Sequence, residues 1–154
     1  MLTIKRLSRD EAFVMIAAAE KKAAEMGMPQ VIAVADESGN LIAFSRMDGG
    51  KASSIQIAIA KAFTAGAARN PTMFYNEHCV PGSPAFGIHV SNDGKFSTIG
   101  GGLPVMAGND CVGGIGVSSG TPAQDIAVAE AGLAALQAHW KRRKGASGKR
   151  KAKS

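Results

Sequence analysis

With 154 residues, of which 45% are apolar and 19% are charged, the chain is long enough for one domain with a packed core. No apolar run approaches the ~20 residues that a membrane-spanning helix needs, and two cysteines are too few for a disulfide-stapled scaffold. The net charge of +6 is unevenly distributed. Residues 141–154 hold eight of the 18 basic residues and none of the 12 acidic ones, which leaves the remaining body at −2.

The basic carboxy-terminal segment, residues 141–154, contains no apolar side chain larger than alanine. Because such a segment buries too little surface to offset its loss of conformational entropy, we expect a disordered tail after a folded domain of residues 1–140. We expect this tail to have weak, salt-dependent affinity for anionic surfaces and no specific nucleic-acid partner. Charged residues at positions 9–11 interrupt the amino-terminal segment, where a signal peptide needs an apolar core, so a cytoplasmic location is predicted.

The first predicted element is a helix that begins after Ser8. Ser8 and Glu11 have the spacing of a capping box, while Gly27 and Pro29 mark the end of the helix. At helical spacing, the predicted apolar face consists of Phe13, Ile16, Ala17, Ala24 and Met26.

A β-hairpin is predicted next, because the apolar runs Val31–Asp36 and Leu41–Arg46 flank a Gly-Asn turn. The first run is almost entirely apolar, which is typical of a strand that is covered on both faces. A second helix is predicted from a cap at Ser53 or Ser54 to about Ala68.

The second half of the chain is richer in turns. We predict one or two helical turns in residues 71–78, and short strands in residues 86–99 that pair about an Asn-Asp-Gly turn. Strands over residues 105–107 and 111–117 and a helix capped by Thr121 complete the order. Because strands joined by short turns are antiparallel, the predicted fold class is α+β, an antiparallel sheet with packed helices.

Three segments of the chain resemble the GlcG/HbpS-type family, whose domain also forms the carboxy-terminal part of PduO-type proteins. They are Val34–Leu41 with Arg46–Gly49, then Lys61–Ala65, and then Gly101–Pro104 followed by Val112–Ser118 and Asp125. The resemblance covers most of residues 3–138. It implies a profilin-like α/β sandwich that assembles into dimers or larger homo-oligomers. It also implies haem or corrinoid-related binding in some members, and in others a place among genes of small-acid and aromatic catabolism.

The glycine run is the first candidate ligand site. It comprises Gly100, Gly101 and Gly102, and it leads through Leu103 to Pro104. Consecutive backbone N–H groups can form a concave nest that binds an anion. An alternative of about equal weight is that these glycines let the chain pass closely across a strand end or a subunit contact.

A second candidate lies before the last predicted helix and comprises Ser118, Ser119, Gly120 and Thr121. The N-terminus of a helix can hold a carboxylate or phosphate, because its N–H groups are free and its dipole is positive there. Asp125, in the first turn, is interpreted as a complement to that dipole. A dinucleotide loop is excluded, because the glycine spacing from Gly114 to Gly120 is one residue too long and no parallel βαβ unit surrounds it.

Arg46 and Asp48 lie where the hairpin ends. The guanidinium of Arg46 could hold a carboxylate in a bidentate arrangement. The alternative is that Arg46 and Asp48 pair with each other or across a subunit boundary.

His78 and His89 are the candidate metal ligands. No His-x-His, Cys-x-x-Cys or His-Glu-x-x-His spacing is present, so a zinc site is not predicted. A haem iron, by contrast, needs only one axial protein ligand. For each histidine an ordinary structural role is the favoured alternative, and Cys79 is interpreted as a loop thiol and Cys111 as a buried strand residue.

Two hypotheses about function follow. The favoured one is a small-ligand-binding protein for haem or another planar carboxylated cofactor, with an accessory role in catabolism or cofactor handling. The alternative is a small isomerase, tautomerase or lyase acting on a carboxylated intermediate. In that case Arg46 would hold the carboxylate, and His78, His89 or Asp48 would move a proton.

Overall fold

A computed structural model of the chain describes the backbone of residues 1–151 and the side chains of residues 1–146. The helices are α1 (Arg9–Glu25), α2 (Ser54–Ala68), α3 (Thr72–His78) and α4 (Pro122–Lys151). The strands are β1 (Val31–Asp36), β2 (Leu41–Arg46), β3 (Gly102–Ala107) and β4 (Asp110–Ser118). Within residues 1–151, no helix is both long enough and apolar enough to cross a membrane.

The four strands form one antiparallel sheet in the order β2-β1-β4-β3. Helices α1 and α4 pack against each other over one face of the sheet, and α2 packs on the other. The predicted α+β class, an antiparallel sheet with packed helices, is confirmed.

Strand β1 is buried along its whole length because both of its faces are covered. Ile32 and Val34 lie in the core beneath α1 and α4, whereas Val31 and Ala33 pack against Ala58 of α2. Since successive side chains of a strand point to opposite faces, an uninterrupted apolar run is what a two-sided position requires. The predicted two-sided burial is confirmed.

Two glycines of β4 let α2 lie directly on the sheet backbone. A Cβ at Gly114 would lie 2.5 Å from the carbonyl oxygen of Ala62, and one at Gly116 would collide with the carbonyl oxygen of Ala58. Any larger residue at either position would push α2 away from the sheet, so this close packing depends on glycine.

Helix α1 has the predicted capping box, in which Ser8 and Glu11 each accept a hydrogen bond from the other residue's backbone N–H. Its predicted apolar face is wrong in part, because Phe13 is 43% exposed while Ala12 and Met15 are fully buried. The helix is rich in alanine on several sides, so its periodicity alone does not identify the side that packs.

The hairpin predicted in residues 86–99 is absent from the described structure. Instead, two short 3₁₀ turns, Ile88–Val90 and Asn92–Gly94, follow one another, and His89 lies in the first of them. Gly87, Asn92 and Asp93 all have positive φ, which turns the chain repeatedly where a strand would need extended backbone.

Strand β3 begins within the glycine run, so Gly102 and Pro104 lie in a strand and not in the predicted loop. Proline is tolerated there because β3 is an edge strand of the sheet.

Helix α2 has the predicted bounds, Ser54–Ala68, whereas the end of α4 differs from the prediction. Ser53 occupies the N-cap position of α2, but its side chain makes no capping hydrogen bond. Helix α4 continues to Lys151, so residues 141–151, predicted to be disordered, are helical. Lysine, arginine and alanine are strong helix formers, and this segment extends a helix that is already anchored by packing. Residues 152–154 lie outside the described residues.

Candidate functional site

The predicted ligand-binding residues lie at one end of the sheet, with Arg46 and the glycine run on opposite edges of it. Val31 at the start of β1 is opposite both Arg46 and Ser118, while Gly102 is opposite Gly116 on β4. Because neighbouring strands are about 4.8 Å apart, Arg46 on β2 lies roughly 14 Å from the edge strand β3. Arg46 and the glycine run are therefore too far apart to contact the same small carboxylate within one chain.

Arg46 and Asp48 are both exposed. Within residues 1–146 they do not form the ion pair that was one of the predicted alternatives. Both side chains remain available to a ligand or to a second molecule.

The glycine run is buried and tightly bonded to its own chain. The amide of Gly102 donates to Oγ1 of Thr72 at 2.9 Å, and the carbonyl of Gly101 accepts from the amide of Val117 at 2.9 Å. A Cβ at Gly101 would lie 2.8 Å from Nζ of Lys61. The Gly102 amide is thus not available to an anion, and the geometry favours the close-approach role of these glycines over the nest.

The group that the glycine run approaches is a buried ion pair. Nζ of Lys61 donates to Oδ2 of Asp125 and to the carbonyl of Val117, both at 2.8 Å. The two charged side chains are only 1% and 2% exposed. Burial lowers the pKa of Lys61, because a charged ammonium loses its hydration, while the hydrogen bond and charge of Asp125 oppose that effect.

Lys61 was not among the predicted site residues, and Asp125 was predicted only to complement the helix dipole. The available signal was the placement of Lys61 inside the helix segment Ser54–Ala68, which is otherwise largely apolar. A lone lysine on the inner side of such a helix needs a buried acidic partner.

The N-terminus of α4 is already satisfied by its own residues. Thr121 and Gln124 form a capping box, and the amide of Gly120 donates to Oδ1 of Asp125 at 2.9 Å. The anion site predicted at Ser118–Thr121 therefore lacks the free Gly120 and Thr121 N–H groups on which it was based.

A small cavity of about 260 Å³ lies beside this end of α4. Ser54, Lys61, Ser118 and Ser119 contribute to its wall, and Ser119 Oγ also accepts from the amide of Lys51 at 3.1 Å. The polar wall brings the predicted Ser118 and Ser119 next to the ion pair.

The candidate metal ligands lie in a separate segment, residues 72–99, which packs against the glycine run through Thr72. The ring of His78 stacks on Phe74 with centroids 4.2 Å apart, and its Nδ1 lies 2.6 Å from the Phe74 carbonyl. A carbonyl only accepts, so Nδ1 carries the proton and the lone pair belongs to Nε2. This is the arrangement in which a neutral histidine is oriented to bind a metal.

His89 has a different partner. Its Nδ1 lies 3.1 Å from Sγ of Cys79. The pKa of Cys79 is lowered, chiefly by the hydrogen bond with the His89 ring and further by the backbone amides of Gly87 and His89. A thiol can donate or accept, so this contact does not set the tautomer of His89. The carbonyl beside His78 only accepts, so for His78 the proton is held on Nδ1 and the lone pair of Nε2 is left for coordination.

The same segment carries an unusual amount of exposed apolar surface. Its exposed large side chains are Met73, Phe74, Val80, Phe86, Val90 and Ile99. Tyr75, next to Phe74, is partly buried against Phe96. A cavity of about 370 Å³ lined by His89 and Ile99 borders this surface. We call residues 72–99 the aromatic–histidine segment.

Within residues 1–146, no group of three or more His, Cys, Asp or Glu side chains is placed to hold a metal ion. This part of the molecule therefore has no site at which several side chains of one chain could coordinate a divalent ion. A metal centre that brings its own equatorial ligands needs only one such side chain.

Comparison with known proteins relates this fold to a sequence family. The sequence model described as "Haem degrading protein HbpS-like" matches residues 7–134. The chain is 37% identical over 119 residues to an uncharacterized 15.0 kDa protein from the dhaT-dhaS intergenic region of Citrobacter freundii. This match covers 77% of the chain and 84% of the relative.

Two crystal structures are closely similar to the fold. The Klebsiella pneumoniae protein ORFY has a TM-score of 0.88 and 33% identity, covering 90% of this chain and 95% of that one. The crystal structure of the PduOC:heme complex has a TM-score of 0.81 and 29% identity, covering 84% of this chain and 94% of that one. The resemblance predicted from the three sequence segments is confirmed.

Proposed function

The chain belongs to the HbpS-like family, and from this premise we propose that it is a haem-binding protein whose iron ligand is Nε2 of His78. The observation that carries the proposal is the hydrogen bond from Nδ1 of His78 to the Phe74 carbonyl. It fixes the tautomer and the ring direction before any ligand arrives. The solved complex of the related PduOC with haem supports the same ligand class.

The aromatic–histidine segment suits a porphyrin for two reasons. Haem needs apolar contact for its ring faces, and this segment exposes Phe74, Phe86, Val90 and Ile99 by 47%, 58%, 70% and 47% respectively. Covering those side chains would remove apolar surface from water, which favours binding. When bound, haem supplies an iron that accepts one axial nitrogen from the protein.

Within this site each residue has a distinct task. His78 provides the nitrogen, Phe74 positions its ring by stacking and through its carbonyl, and His89 with Cys79 forms a polar contact beside the apolar surface. Because Phe74 is four residues before His78 in one helical turn, a single short helix presents both the ligand and its orienting group.

The ligand-binding roles of Arg46, Asp48 and Ser118–Thr121 remain proposals. Arg46 is exposed and forms no ion pair within residues 1–146, so we place it at a contact with a second copy of the chain in a homo-oligomer. In that position its guanidinium would meet a carboxylate of the ligand or of the neighbouring chain. Size-exclusion chromatography with light scattering would test the oligomer, and an Arg46→Gln variant would test the contact. The cytoplasmic location also remains a prediction.

A titration with hemin tests the proposal directly. We expect a saturable Soret shift at one haem per chain, and a ferric spectrum characteristic of histidine ligation. His78→Ala should abolish or shift that spectrum, whereas His139→Ala, the matched control at a half-buried position on α4, should leave it unchanged. An unshifted wild-type spectrum, or a His78→Ala spectrum identical to that of wild type, would refute His78 ligation.

His89→Ala separates ligation from packing. We expect it to retain the Soret band, because the substitution leaves Nε2 of His78 and the hydrogen bond from its Nδ1 to the Phe74 carbonyl in place. If His89→Ala loses the band and His78→Ala keeps it, the assignment of the ligand is reversed.

The enzymatic alternative, an isomerase, tautomerase or lyase, needs its groups within hydrogen-bond reach of one substrate. His78, His89 and Asp48 are exposed, and Arg46 lies on the far edge of the sheet. No observation within residues 1–146 favours this hypothesis over ligand binding.

A further inference from the structure

A separate cavity of about 650 Å³ lies where α1, the β3–β4 turn and the last part of α4 meet, and none of its lining residues belongs to the aromatic–histidine segment. Met106 and Ala107 form an apolar part of its wall, and Trp140 contributes an aromatic ring. Its volume falls within the range of pockets that hold small organic ligands. The proposed haem site does not use any of these residues.

One face of α4 supplies much of the wall. Gln137, Trp140, Lys141 and Lys144 occupy positions i, i+3, i+4 and i+7 of the helix, which places them on one face of it. Arg143 also lines the cavity. An aromatic side chain is thus followed, within one turn, by three cationic ones.

The cations at this cavity are in excess over acidic groups. Lys5, Lys141, Arg143 and Lys144 line it, and Lys5 is paired with Asp110 at 2.7 Å. Within residues 1–146, Lys141, Arg143 and Lys144 have no acidic partner within 4.0 Å. Like charges at this spacing repel, so an anion that bridges them is stabilised by relief of that repulsion as well as by direct attraction.

The acidic residue in the wall, Glu11, is already engaged. Its carboxylate accepts from Nε1 of Trp140 at 2.6 Å and from the amide and hydroxyl of Ser8 at 2.8 and 2.9 Å. These bonds and the charge of Arg143 lower the pKa of Glu11 against the opposing effect of burial. Glu11 therefore holds the indole in place and is committed to the helix cap.

From this combination we infer that the cavity binds a phosphorylated nucleotide, with the phosphates at Lys141, Arg143 and Lys144 and the base against Trp140 and Met106. Arginine and lysine are the residues that recognise phosphate, and an indole ring provides a surface for stacking a flat base. The bounded volume favours a free nucleotide over a long nucleic-acid strand, which needs an extended groove.

The sole tryptophan of the chain makes the experiment direct, because all indole fluorescence reports on Trp140. The full-length protein is titrated at low ionic strength, in the presence of a chelator, with ATP, inorganic triphosphate and adenosine. We expect a saturable change with ATP, displacement of ATP by excess triphosphate, and weaker binding of adenosine than of ATP. No saturable change with ATP, or adenosine binding as tightly as ATP, would overturn the inference.

Charge-matched variants distinguish this cavity from general attraction to a basic protein. Lys141→Gln/Lys144→Gln should weaken ATP binding about tenfold or more, because it removes two charged hydrogen-bond donors to the phosphates. Lys21→Gln/Lys22→Gln on α1 removes the same charge elsewhere and should change affinity less than twofold. Equal losses in both double variants would show nonspecific electrostatic attraction and overturn the site.

Two further titrations test whether the phosphate belongs to a free nucleotide or to a nucleic-acid strand, and whether this cavity binds independently of the proposed haem site. A single-stranded thymidine oligonucleotide that binds tightly and resists displacement by ATP would overturn the free-nucleotide assignment in favour of nucleic acid. His78→Ala should bind ATP as the wild type does, because His78 is not part of this cavity wall. Loss of ATP binding in that variant would contradict two separate sites.

Discussion

Replacement of Lys61 by methionine tests the buried ion pair beneath the glycine run. The substitution removes both 2.8 Å hydrogen bonds made by Nζ and leaves the carboxylate of Asp125, 2% exposed, without its counter-charge. Asp125 retains the hydrogen bond from the Gly120 amide, which offsets only part of the loss. Breaking a buried pair by removing one partner costs about 3–5 kcal/mol, a large share of the typical total of about 5–15 kcal/mol.

The free energy of unfolding is measured by urea denaturation at neutral pH, followed by circular dichroism. We expect Lys61→Met to lower the transition midpoint by roughly 2 M urea for a protein of this size. Lys61→Met/Asp125→Asn should be less destabilised than the sum of the single variants, by about 1–3 kcal/mol, because neither charge is then left alone.

The exposed pair of Lys5 and Asp110 is a matched control. Its N–O distance is 2.7 Å, but its side chains are 65% and 56% exposed. Lys5→Met should therefore cost less than about 1 kcal/mol. If Lys61→Met costs as little as Lys5→Met, or if the Lys61–Asp125 cycle is additive, the reasoning about burial is refuted.

The same pair gives a pH dependence. Burial lowers the pKa of Lys61 in the folded chain below its ordinary 10.5. At a pH between the lowered pKa and 10.5, the unfolded chain therefore binds more protons than the folded chain. Wild-type stability should therefore rise with pH across that interval, and Lys61→Met should lack this rise. A wild-type curve that falls with pH in parallel with the variant would contradict the lowered pKa.

Three other predictions concern packing and the protein surface. Gly116→Ala should lower the free energy of unfolding by about 1–3 kcal/mol in urea denaturation, because its methyl group collides with the backbone of α2; an unchanged midpoint would refute the close contact. Thr72→Val removes the hydroxyl that accepts from the buried Gly102 amide at 2.9 Å, and we expect a cost of about 1–3 kcal/mol by the same assay, with Thr72→Ser as the control that retains it. Arg6 holds the pKa of Glu37 at about 2, below its ordinary 4.5, so the stability from this pair is complete above pH 4.5 and is lost as the pH falls towards 2. Arg6→Gln should flatten that part of a plot of the free energy of unfolding against pH. An unchanged slope would contradict the pairing.

Much of the fold followed from local patterns. Two elements were specified by residues close together in sequence: α1 by the capping box at Ser8, and the hairpin by the apolar runs of β1 and β2. Cap hydrogen bonds and tight turns form within a few residues, so distant parts of the chain are not needed to predict them. The hairpin predicted for residues 86–99 was wrong because local composition did not determine the backbone conformation there. Their composition is typical of strands, but Asn92 and Asp93 adopt the left-handed conformation, which interrupts extended backbone. Asparagine and aspartate tolerate that conformation but do not require it, so the residue types alone did not predict it.

The candidate site was predictable only in its parts. The sequence identified His78 and His89 as the histidines to consider, but it contained no signal that one would bond to a carbonyl and the other to a thiol. Nor did it contain a signal for the distance between Arg46 and the glycine run, which the strand order places on opposite edges of the sheet. Side-chain tautomers and strand order depend on contacts that are distant in sequence.

By itself, the sequence determined the α+β class, the covered first strand and the family, because these depend on periodicity, turn residues and segments that recur in order. Only the tertiary structure paired Lys61 with Asp125, 64 residues away, and closed the nucleotide-sized cavity between Trp140 and the β3–β4 turn. The physical reason is that the cost of burying a charge is compensated by whichever partner the packed chain brings within hydrogen-bond distance. Spacing along the chain carries no record of that partner.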